Sequence, residues 1–280
     1  MNITIKWLTL TDSEFVTRLG QIEGWVIDNY ESENIIKQNQ IFCFGAFHDS
    51  RLVGAIMGFI HEKSSYIANF LVSHEYRNQK IGRRLFETLF NALKLEKDTI
   101  YLYAASNMKD FYEKFGFEVL SDIVRFESTT TPNFKFSPNM VKDLELPSFK
   151  TTLLKMSNQI FNERRDNLYS FLCSHASSLN FCSPNAIMHS RAFNSKIQLA
   201  PFFVKSGAYF DAEKMFRALL FVRNGKKIYA DVPLVNSDSV NLFIQYGFKE
   251  SVGGYFMRYG KDLNINFNNI YSFATPCSVG

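Results

Sequence analysis

The sequence predicts an α/β protein with two similar halves, and three observations indicate this. Residues 69–95 combine an apolar strand, a tight polar turn and an amphipathic helix, because their apolar side chains recur at helical spacing. A helix–glycine–strand pattern at Phe115-Gly116-Phe117 returns 131 residues later at Tyr246-Gly247-Phe248. A polar, proline-broken stretch separates the two copies. We therefore expect domains at 1–130 and 139–280.

Local patterns predict each element of the first half. Apolar runs bounded by turn residues predict strands at 3–8, 41–47, 52–60, 66–72, 99–104 and from residue 117 onward. Apolar residues spaced by three and four predict helices at about 11–24, 82–95 and 110–115. The segment Thr11-Asp12-Ser13-Glu14 is typical of a helix N-terminus, with acidic residues in the first turn.

The second half repeats this order with one chemical difference. The predicted elements are a long helix at 148–171, a strand at 199–204, a helix at 212–221, a strand at 228–232 and a helix at 239–246. Asp211 and Glu213 lie where the first half carries basic residues. Acidic side chains stabilise a helix N-terminus but repel an anionic ligand. We therefore expect an anion site in the first half alone.

The turn at 77–84 has the features of a phosphate site. It leads from a strand into a helix N-terminus, where backbone N–H groups and the positive end of the helix dipole favour an anion. Gly82 would let the backbone approach a ligand closely. Four cationic side chains add charge suited to a polyphosphate, namely Arg77, Lys80, Arg83 and Arg84. The alternative is an ordinary basic and solvated helix start.

Two segments together resemble a known family. Arg77-Asn78-Gln79-Lys80-Ile81-Gly82 is similar to the pyrophosphate loop, and Asp110–Phe117 to the FYEK-x-GF helix, of the GNAT superfamily of acyl-CoA-dependent N-acyltransferases. The chain resembles the two-domain bacterial members, whose C-terminal half is a degenerate GNAT-like domain. This resemblance implies tandem GNAT folds, each a mixed, mainly antiparallel sheet flanked by helices. Lys80 departs from the pattern, because it replaces the middle glycine and would fit only at an ordinary φ.

The resemblance implies acetyl-CoA as cofactor and assigns roles to single residues. Tyr112 would assist the leaving thiolate as an acid, although a core aromatic is its alternative role. Asn69 would orient the substrate or polarise the carbonyl, next to a backbone N–H donor on the same strand. The residues implied in cofactor binding are Phe70, Leu71, Val72, Arg77, Asn78, Gln79, Lys80, Ile81, Gly82, Arg83, Asn107 and Tyr112.

The general base is not evident from the sequence. Many members of the family place a Glu on the cofactor strand, but this chain has Ala68 and Asn69 there. Candidates by rough position are Asp28, His61, Glu62 and His189, and each is more often a surface or structural residue. Trp25 and Asp28 would bind the acceptor, and a core anchor is the alternative role for Trp25. The acceptor site is expected between the two domains.

Composition limits the partners that we expect. The 280 residues are 46% hydrophobic, and 31 basic against 27 acidic residues give a formal net charge of +4, which is too balanced to indicate a nucleic acid. The four cysteines form no CxxC pair, so no metal is expected. We recognise no signal peptide and no apolar run of ~18 residues, which predicts a cytoplasmic protein without a membrane partner. A monomer or a homodimer is expected.

The sequence therefore predicts an enzyme, an acetyl-CoA-dependent N-acetyltransferase acting on a primary amine of a small molecule or peptide. Two alternatives remain. One is a non-catalytic acyl-CoA-binding or sensing protein, which Lys80 and the missing strand Glu favour. The other is an aminoacyl-tRNA-dependent transferase with tandem GNAT-like domains, which would need a more basic surface than a net charge of +4 indicates.

Overall fold

The computed structural model describes residues 2–128, 149–193 and 196–274. Its strands are β1 (Ile3–Trp7), β2 (Cys43–His48), β3 (Arg51–Ile60), β4 (Ser64–Val72), β5 (Thr99–Ala105), β6 (Glu118–Ser128), β7 (Leu179–Cys182), β8 (Ala186–Phe193), β9 (Lys196–Val204), β10 (Lys227–Pro233), β11 (Phe248–Gly260) and β12 (Ile270–Ser272). Its helices are α1 (Ser13–Ile22), α2 (Asn29–Asn39), α3 (Ile81–Glu96), α4 (Lys109–Glu113), α5 (Phe149–Phe161), α6 (Asp166–Leu172), α7 (Tyr209–Val222) and α8 (Ser237–Gln245).

Contacts between Cα atoms divide the described chain into two compact units. The first contains the residues up to Tyr103 together with Arg258–Lys261. The second contains Ala104–Met257 and the residues from Asp262 onward. The domain boundary expected at 130–139 lies outside the described residues, so the predicted domain limits stay a prediction.

The first unit is a mixed sheet with helices on both faces. Its strand order is β1-β2-β3-β4-β5, and only the β4–β5 pair is parallel among these described strands. Gly54 and Gly58 face α3, because a Cβ atom at either position would meet a leucine side chain of that helix within 3.1 Å. Cys43 lies under the opposite layer, where its Sγ donates to the backbone oxygen of Asn39 in α2 at 3.3 Å. The predicted fold class, α/β with a mainly antiparallel sheet flanked by helices, is confirmed.

The end of β11 completes the first unit. Tyr259 packs edge-on against Phe90 of α3 with ring centroids 4.9 Å apart. The Thr99 hydroxyl donates to the backbone oxygen of Lys261 at 2.9 Å. This return of the chain over more than 150 residues leaves no local signal in the sequence, since pairing between distant strands depends on topology rather than on neighbouring residues.

The second unit repeats the arrangement of the first. Its order is β11-β6-β10-β9-β8-β7, with β12 beside β9. The β9–β10 pair is parallel, and the β6–β10, β7–β8 and β8–β9 pairs are antiparallel. Its core includes the stacked rings of Phe126 and Phe243, with Phe216 packed against Phe243 from α7.

Two helix predictions were incomplete or wrong. The single helix expected at 148–171 is broken into α5 and α6 at Asn162, whose φ is +53°. Asparagine tolerates this left-handed conformation better than most residues, and here its Nδ2 donates to the backbone oxygens of Leu263 and Asn264, each at 2.9 Å. Helix α2 was not predicted, because only Ile35 and Ile36 mark its apolar face among polar neighbours.

We predict that Gly260→Ala destabilises the protein by at least ~2 kcal/mol. Gly260 has a φ of +85°, and an added Cβ would lie 1.8 Å from the backbone oxygen of Asp98. Gly253→Ala in the same strand is the control, because its Cβ would lie 3.6 Å from its nearest neighbour. Chemical denaturation measures both variants. Equal stability of the two variants would contradict the close approach of Gly260 to Asp98 within the first unit.

Candidate active site

A bulge interrupts β4 at Asn69. Met57 pairs with Ala68 and Ala55 pairs with Leu71, so two residues of β4 oppose the single residue Ile56 of β3. Asn69 is 1% exposed and has a φ of +45°, an uncommon conformation for a residue with a side chain. Its Nδ2 lies 3.5 Å from the Sδ of Met57 and donates to it. The bulge therefore bends β4 at Asn69, the residue that we predicted from the sequence to orient the substrate or polarise the carbonyl.

The parallel pair β4–β5 separates close to this bulge. Among the described residues, the pairing runs from Ser64↔Thr99 to Ile67↔Leu102, and β4 continues to Val72 beyond it. The segment 68–72 thus presents a strand edge on the side away from β3. A strand edge that is not paired with another strand offers backbone N–H and C=O groups to an extended ligand.

The predicted phosphate loop follows β4 and lies on the surface. Residues 77–80 are exposed, and α3 begins at Ile81, which is buried. Asn78 and Lys80 have φ values of +61° and +62°. The expectation that Lys80 requires an ordinary φ was therefore wrong, because the loop keeps the left-handed turn and places a lysine in it. A side chain in this conformation costs about 1–2 kcal/mol.

Several polar and basic side chains of the loop bond to the protein itself. Arg77 donates from Nε to the backbone oxygen of Val72 at 3.0 Å and pairs with Glu23. Arg83 pairs with Glu87 through Nε at 2.8 Å, one helical turn away. Gln79 donates to the backbone oxygen of Glu75 at 3.2 Å. The side chains of Arg77 and Gln79 therefore hold the loop in its shape. From the sequence, we had expected both residues to contact the cofactor.

Gly82 provides a test of whether this loop fits a polyphosphate. An added Cβ at Gly82 would lie 3.4 Å from Phe70 and 3.5 Å from Val72, which is ordinary contact. Nothing in the packing of the described residues therefore requires a glycine there, whereas close approach of a ligand would. No acidic residue lies in the first turn of α3. The helix N-terminus, its dipole and the glycine together fit a pyrophosphate group.

Tyr112 lies in α4 in the second unit and is 5% exposed. Its ring packs edge-on against Phe111 and Phe117, with centroids 5.2 Å and 6.0 Å away. Burial raises the pKa of its phenol far above the usual range, so the hydroxyl is protonated at neutral pH. Asn107, also assigned to the cofactor, is exposed in the turn before α4.

Trp25 and Asp28 lie in the connection between α1 and α2. The backbone N–H of Trp25 donates to the oxygen of Gly20 at 3.0 Å, and its half-buried ring packs on the same glycine. Asp28 caps α2, because its Oδ1 accepts from the backbone N–H of Glu31 at 3.1 Å. Both residues thus have structural contacts, and their predicted acceptor-binding roles stay predictions.

The other candidate bases lie in different parts of the fold, and two of them lie at the far end of β4 from the bulge. His61 and Glu62 lie in the turn between β3 and β4, at the end of β4 opposite Val72. His189 lies in the second unit, where its Nδ1 is 2.6 Å from Oδ1 of Asn180. Burial, followed by the nearby Arg191, holds the pKa of His189 well below its usual range. A fully buried, neutral histidine suits a packing role.

The second unit has a similar bulge with different chemistry. Met188 pairs with Phe202 and Ser190 with Leu199, so Ala200 and Pro201 are the two opposing residues of β9. Proline carries no backbone N–H, so this bulge offers one donor fewer. At the start of α7, the carboxylates of Asp211 and Glu213 accept from the hydroxyls of Ser183 and Tyr246, both at 2.7 Å.

The position equivalent to Tyr112 also differs in the second half of the sequence. Counting back from the Gly-Phe pair that both halves share, Phe243 stands where Tyr112 stands. Phe243 is fully buried in the core and has no hydroxyl to act as an acid. Pro201, the acidic start of α7 and Phe243 all favour a single anion site, located in the first unit.

Comparison with known proteins agrees with this geometry. Residues 20–134 match the family model of the acetyltransferase (GNAT) domain. No curated protein matches the sequence significantly. The chain is similar in structure to a proposed acetyltransferase from Pyrococcus horikoshii, with a TM-score of 0.81, 19% identity, and coverage of 99% of this chain and 95% of that one.

Two further solved structures share the fold at lower identity. One is a GCN5-related N-acetyltransferase from Sphaerobacter thermophilus, with a TM-score of 0.61, 11% identity and coverage of 94% and 98%. The other is a tandem GNAT protein from the clavulanic acid biosynthesis pathway, with a TM-score of 0.66, 9% identity and coverage of 92% and 98%.

The chain contains a GNAT acetyltransferase domain, which the family model matches at residues 20–134. The predicted family and the predicted enzyme class are thereby confirmed. Members of this family transfer acyl groups to amines of small molecules or peptides. Among the described helices, none has the length and apolar character needed to span a membrane.

We predict that Lys80→Gly stabilises the protein by about 0.5–1 kcal/mol, because glycine removes the cost of a left-handed side-chain residue. Lys80→Ala is the control, since alanine removes the same charge but keeps the strained φ of +62°. Thermal unfolding of the three proteins measures the difference. A gain in both variants would show that charge repulsion, rather than backbone strain, is the cause.

Proposed function

We propose that this protein is an acetyl-CoA-dependent N-acetyltransferase that acylates a primary amine of a small molecule or peptide. One observation carries the proposal. In the first unit, the bulge at Asn69, the edge at 68–72 that is not paired with β5 and the start of α3 follow one another along the chain at one end of β4. An acyl thioester attached to a long pyrophosphate-bearing carrier needs these three features in this order.

The proposed binding residues use mainly backbone groups. The N–H groups at the start of α3 and the backbone of Gly82 would hold the pyrophosphate. The edge of β4 from Phe70 to Val72 would pair with the amide groups of the extended arm. Lys80 is exposed on the loop and would add a point charge toward the phosphates. The side chains of Arg77 and Gln79 hold the loop in shape for this contact.

The bound cofactor would supply an activated acetyl group as a thioester. A backbone N–H near Phe70, beyond the bulge, would stabilise negative charge on the carbonyl oxygen. The protonated phenol of Tyr112 would donate to the sulfur as it leaves. Asn69 would position the carbonyl or the acceptor, although its side chain contacts Met57 in this structure. Trp25 and Asp28 are proposed to border the acceptor.

A non-catalytic acyl-CoA sensor is the second candidate. It is favoured by the strained Lys80 in the loop and by Ala68 and Asn69, where many GNAT enzymes carry a basic carboxylate. The two candidates differ in turnover, because a sensor binds acetyl-CoA without transferring its acetyl group. The cytoplasmic location, the monomeric or homodimeric state, the lack of a nucleic-acid partner and the acceptor site between the domains stay predictions.

We predict that calorimetric titration gives micromolar binding of acetyl-CoA at one site per chain, and that Gly82→Asp abolishes it. The introduced carboxylate would face the pyrophosphate at the helix N-terminus. Gly82→Ala controls for the fold, because its Cβ would lie no closer than 3.4 Å to Phe70. Retained affinity in a folded Gly82→Asp protein would show that the loop is misassigned.

We predict that Tyr112→Phe lowers kcat by ~10²-fold or more and changes the affinity for acetyl-CoA little, because only the proton donor is lost. Tyr246→Phe is the matched control, since that hydroxyl donates to Glu213 in the second unit. Release of CoA thiol in the presence of an amine measures the rate. Unchanged turnover in Tyr112→Phe would remove this residue from the mechanism.

A further inference from the structure

One basic residue that the sequence placed in the phosphate loop is directed elsewhere by the fold. Nη2 of Arg84 donates to the backbone oxygen of Ile3 in β1 at 3.2 Å. Arg84 is exposed, and no acidic side chain among the described residues pairs with it, since the nearby Glu87 pairs with Arg83. The Arg84 guanidinium is therefore held beside β1 with most of its donors available.

Strand β1 forms an edge of the sheet, because among the described strands it pairs with β2 alone. The N–H of Leu8 donates to the backbone oxygen of Cys43 at 2.8 Å, and these two residues continue the register of the β1–β2 pair. Hydrogen-bonded and non-hydrogen-bonded pairs alternate along an antiparallel ladder. The backbone groups of Thr4 and Lys6 therefore bond to β2, as those of Leu8 do.

The alternate residues of β1 direct their backbone groups away from β2. These residues are Ile3, Ile5 and Trp7, and the contact of Arg84 with the Ile3 oxygen agrees with this direction. For Ile5 and Trp7, the described part of the chain provides no partner on the outer side. An unpaired strand edge of this kind is a template for a further strand.

A groove lies beside this edge, between the sheet and α3. It is a cavity of about 740 Å³, to which the strands contribute Ile5, Trp7 and Phe44 and the helix contributes Arg84 and Thr88. Trp7 is 62% exposed there. Exposed apolar surface next to unpaired backbone groups is typical of a surface that binds an extended strand, whose alternate side chains would enter the groove.

A second copy of β1 fits this edge. Antiparallel pairing about a two-fold axis at Ile5 sets Ile5 opposite the partner's Ile5 and Trp7 opposite the partner's Ile3, so all three outward-facing residues are paired. Lys6 then lies opposite the partner's Thr4. The alternative register with Lys6 opposite the partner's Lys6 would place like charges together, which destabilises a sheet. Charge therefore selects the register centred on Ile5.

This register also brings the exposed ring to the available guanidinium. Residues directly opposite each other share a face, so the partner's Trp7 enters the groove beside Ile3, where Arg84 lies. A guanidinium stacks favourably on an indole ring. The Ile3 oxygen has a second lone pair, so it can accept from the N–H of the partner's Trp7 and keep its bond to Arg84.

We propose that the protein forms a two-fold symmetric homodimer through β1, in which Trp7 of each copy stacks on Arg84 of the other. The proposal does not depend on the acetyltransferase activity. Pairing of two five-residue strands buries little area, so the dimer forms at micromolar rather than nanomolar concentration.

Sedimentation equilibrium of the full chain over a micromolar concentration range tests the proposal. We expect the wild type to shift from the mass of one chain to that of two. Trp7→Lys should weaken the dimer by at least ~10-fold, because the lysine faces the partner's Arg84. Ile41→Lys is the matched control, since Ile41 is 63% exposed in the same unit and does not line the groove.

A charge reversal identifies the contact itself. Trp7→Lys combined with Arg84→Glu should restore the dimer, because opposite charges then face each other across the two-fold axis. The single and double variants should melt within ~2 °C of the wild-type monomer, so that loss of the dimer is separated from loss of the fold. A double variant that stays monomeric while folded would overturn the Trp7–Arg84 contact.

Residue-resolved hydrogen exchange of the wild type gives a readout without any substitution. The N–H groups of Ile5 and Trp7 should exchange more slowly as the protein concentration rises. The N–H of Lys6, which bonds to β2, should not change. A wild type that is monomeric throughout, an assembly larger than a dimer, or equal weakening by Trp7→Lys and Ile41→Lys would overturn the proposal.

Discussion

The pairing of β3 with β4 is the constraint on which the first unit depends. One extra residue in β4 makes two residues oppose Ile56, holds Asn69 at a φ of +45° and redirects the strand. The edge of β4 at 68–72, which is not paired with β5, then presents its backbone N–H and C=O groups. The exposed loop that follows leads into the N-terminus of α3. The proposed binding and reacting groups thus depend on backbone geometry more than on side-chain identity.

Strands β8 to β10 and helix α7 have the same architecture as the proposed site but different side chains at its main positions. They keep the bulge, the parallel pair and the helix that follows. Pro201 removes a backbone donor, Asp211 and Glu213 oppose an anion, and Phe243 packs in the core. These residues are compatible with a stable fold. A β-bulge tolerates a proline, and acidic side chains stabilise a helix N-terminus. These three features give the bulge of β9 and the start of α7 no anion site of the kind proposed for β4 and α3.

Features with a local signal were predictable from the sequence. The loop with Gly82 and the start of α3 follow from turn residues and helical spacing, and Tyr112 follows from its motif. Features set by distant partners were not. The strained φ of Lys80, the burial of Glu31 and the return of Arg258–Lys261 to the first unit depend on packing between segments far apart in the sequence. Sequence reasoning therefore predicted the loop and the helix after it, but not the backbone conformation at Lys80 or the packing of distant segments.

The central claim is a single acyl-CoA site built on the backbone of the first unit. Hydrogen–deuterium exchange with and without acetyl-CoA tests it most directly, because the proposed contacts are backbone N–H groups. We expect added protection at 68–72 and 77–84, and none at the corresponding segments 199–204 and 209–215 of the second unit. Protection at the second pair of segments, or at neither pair, would contradict the account.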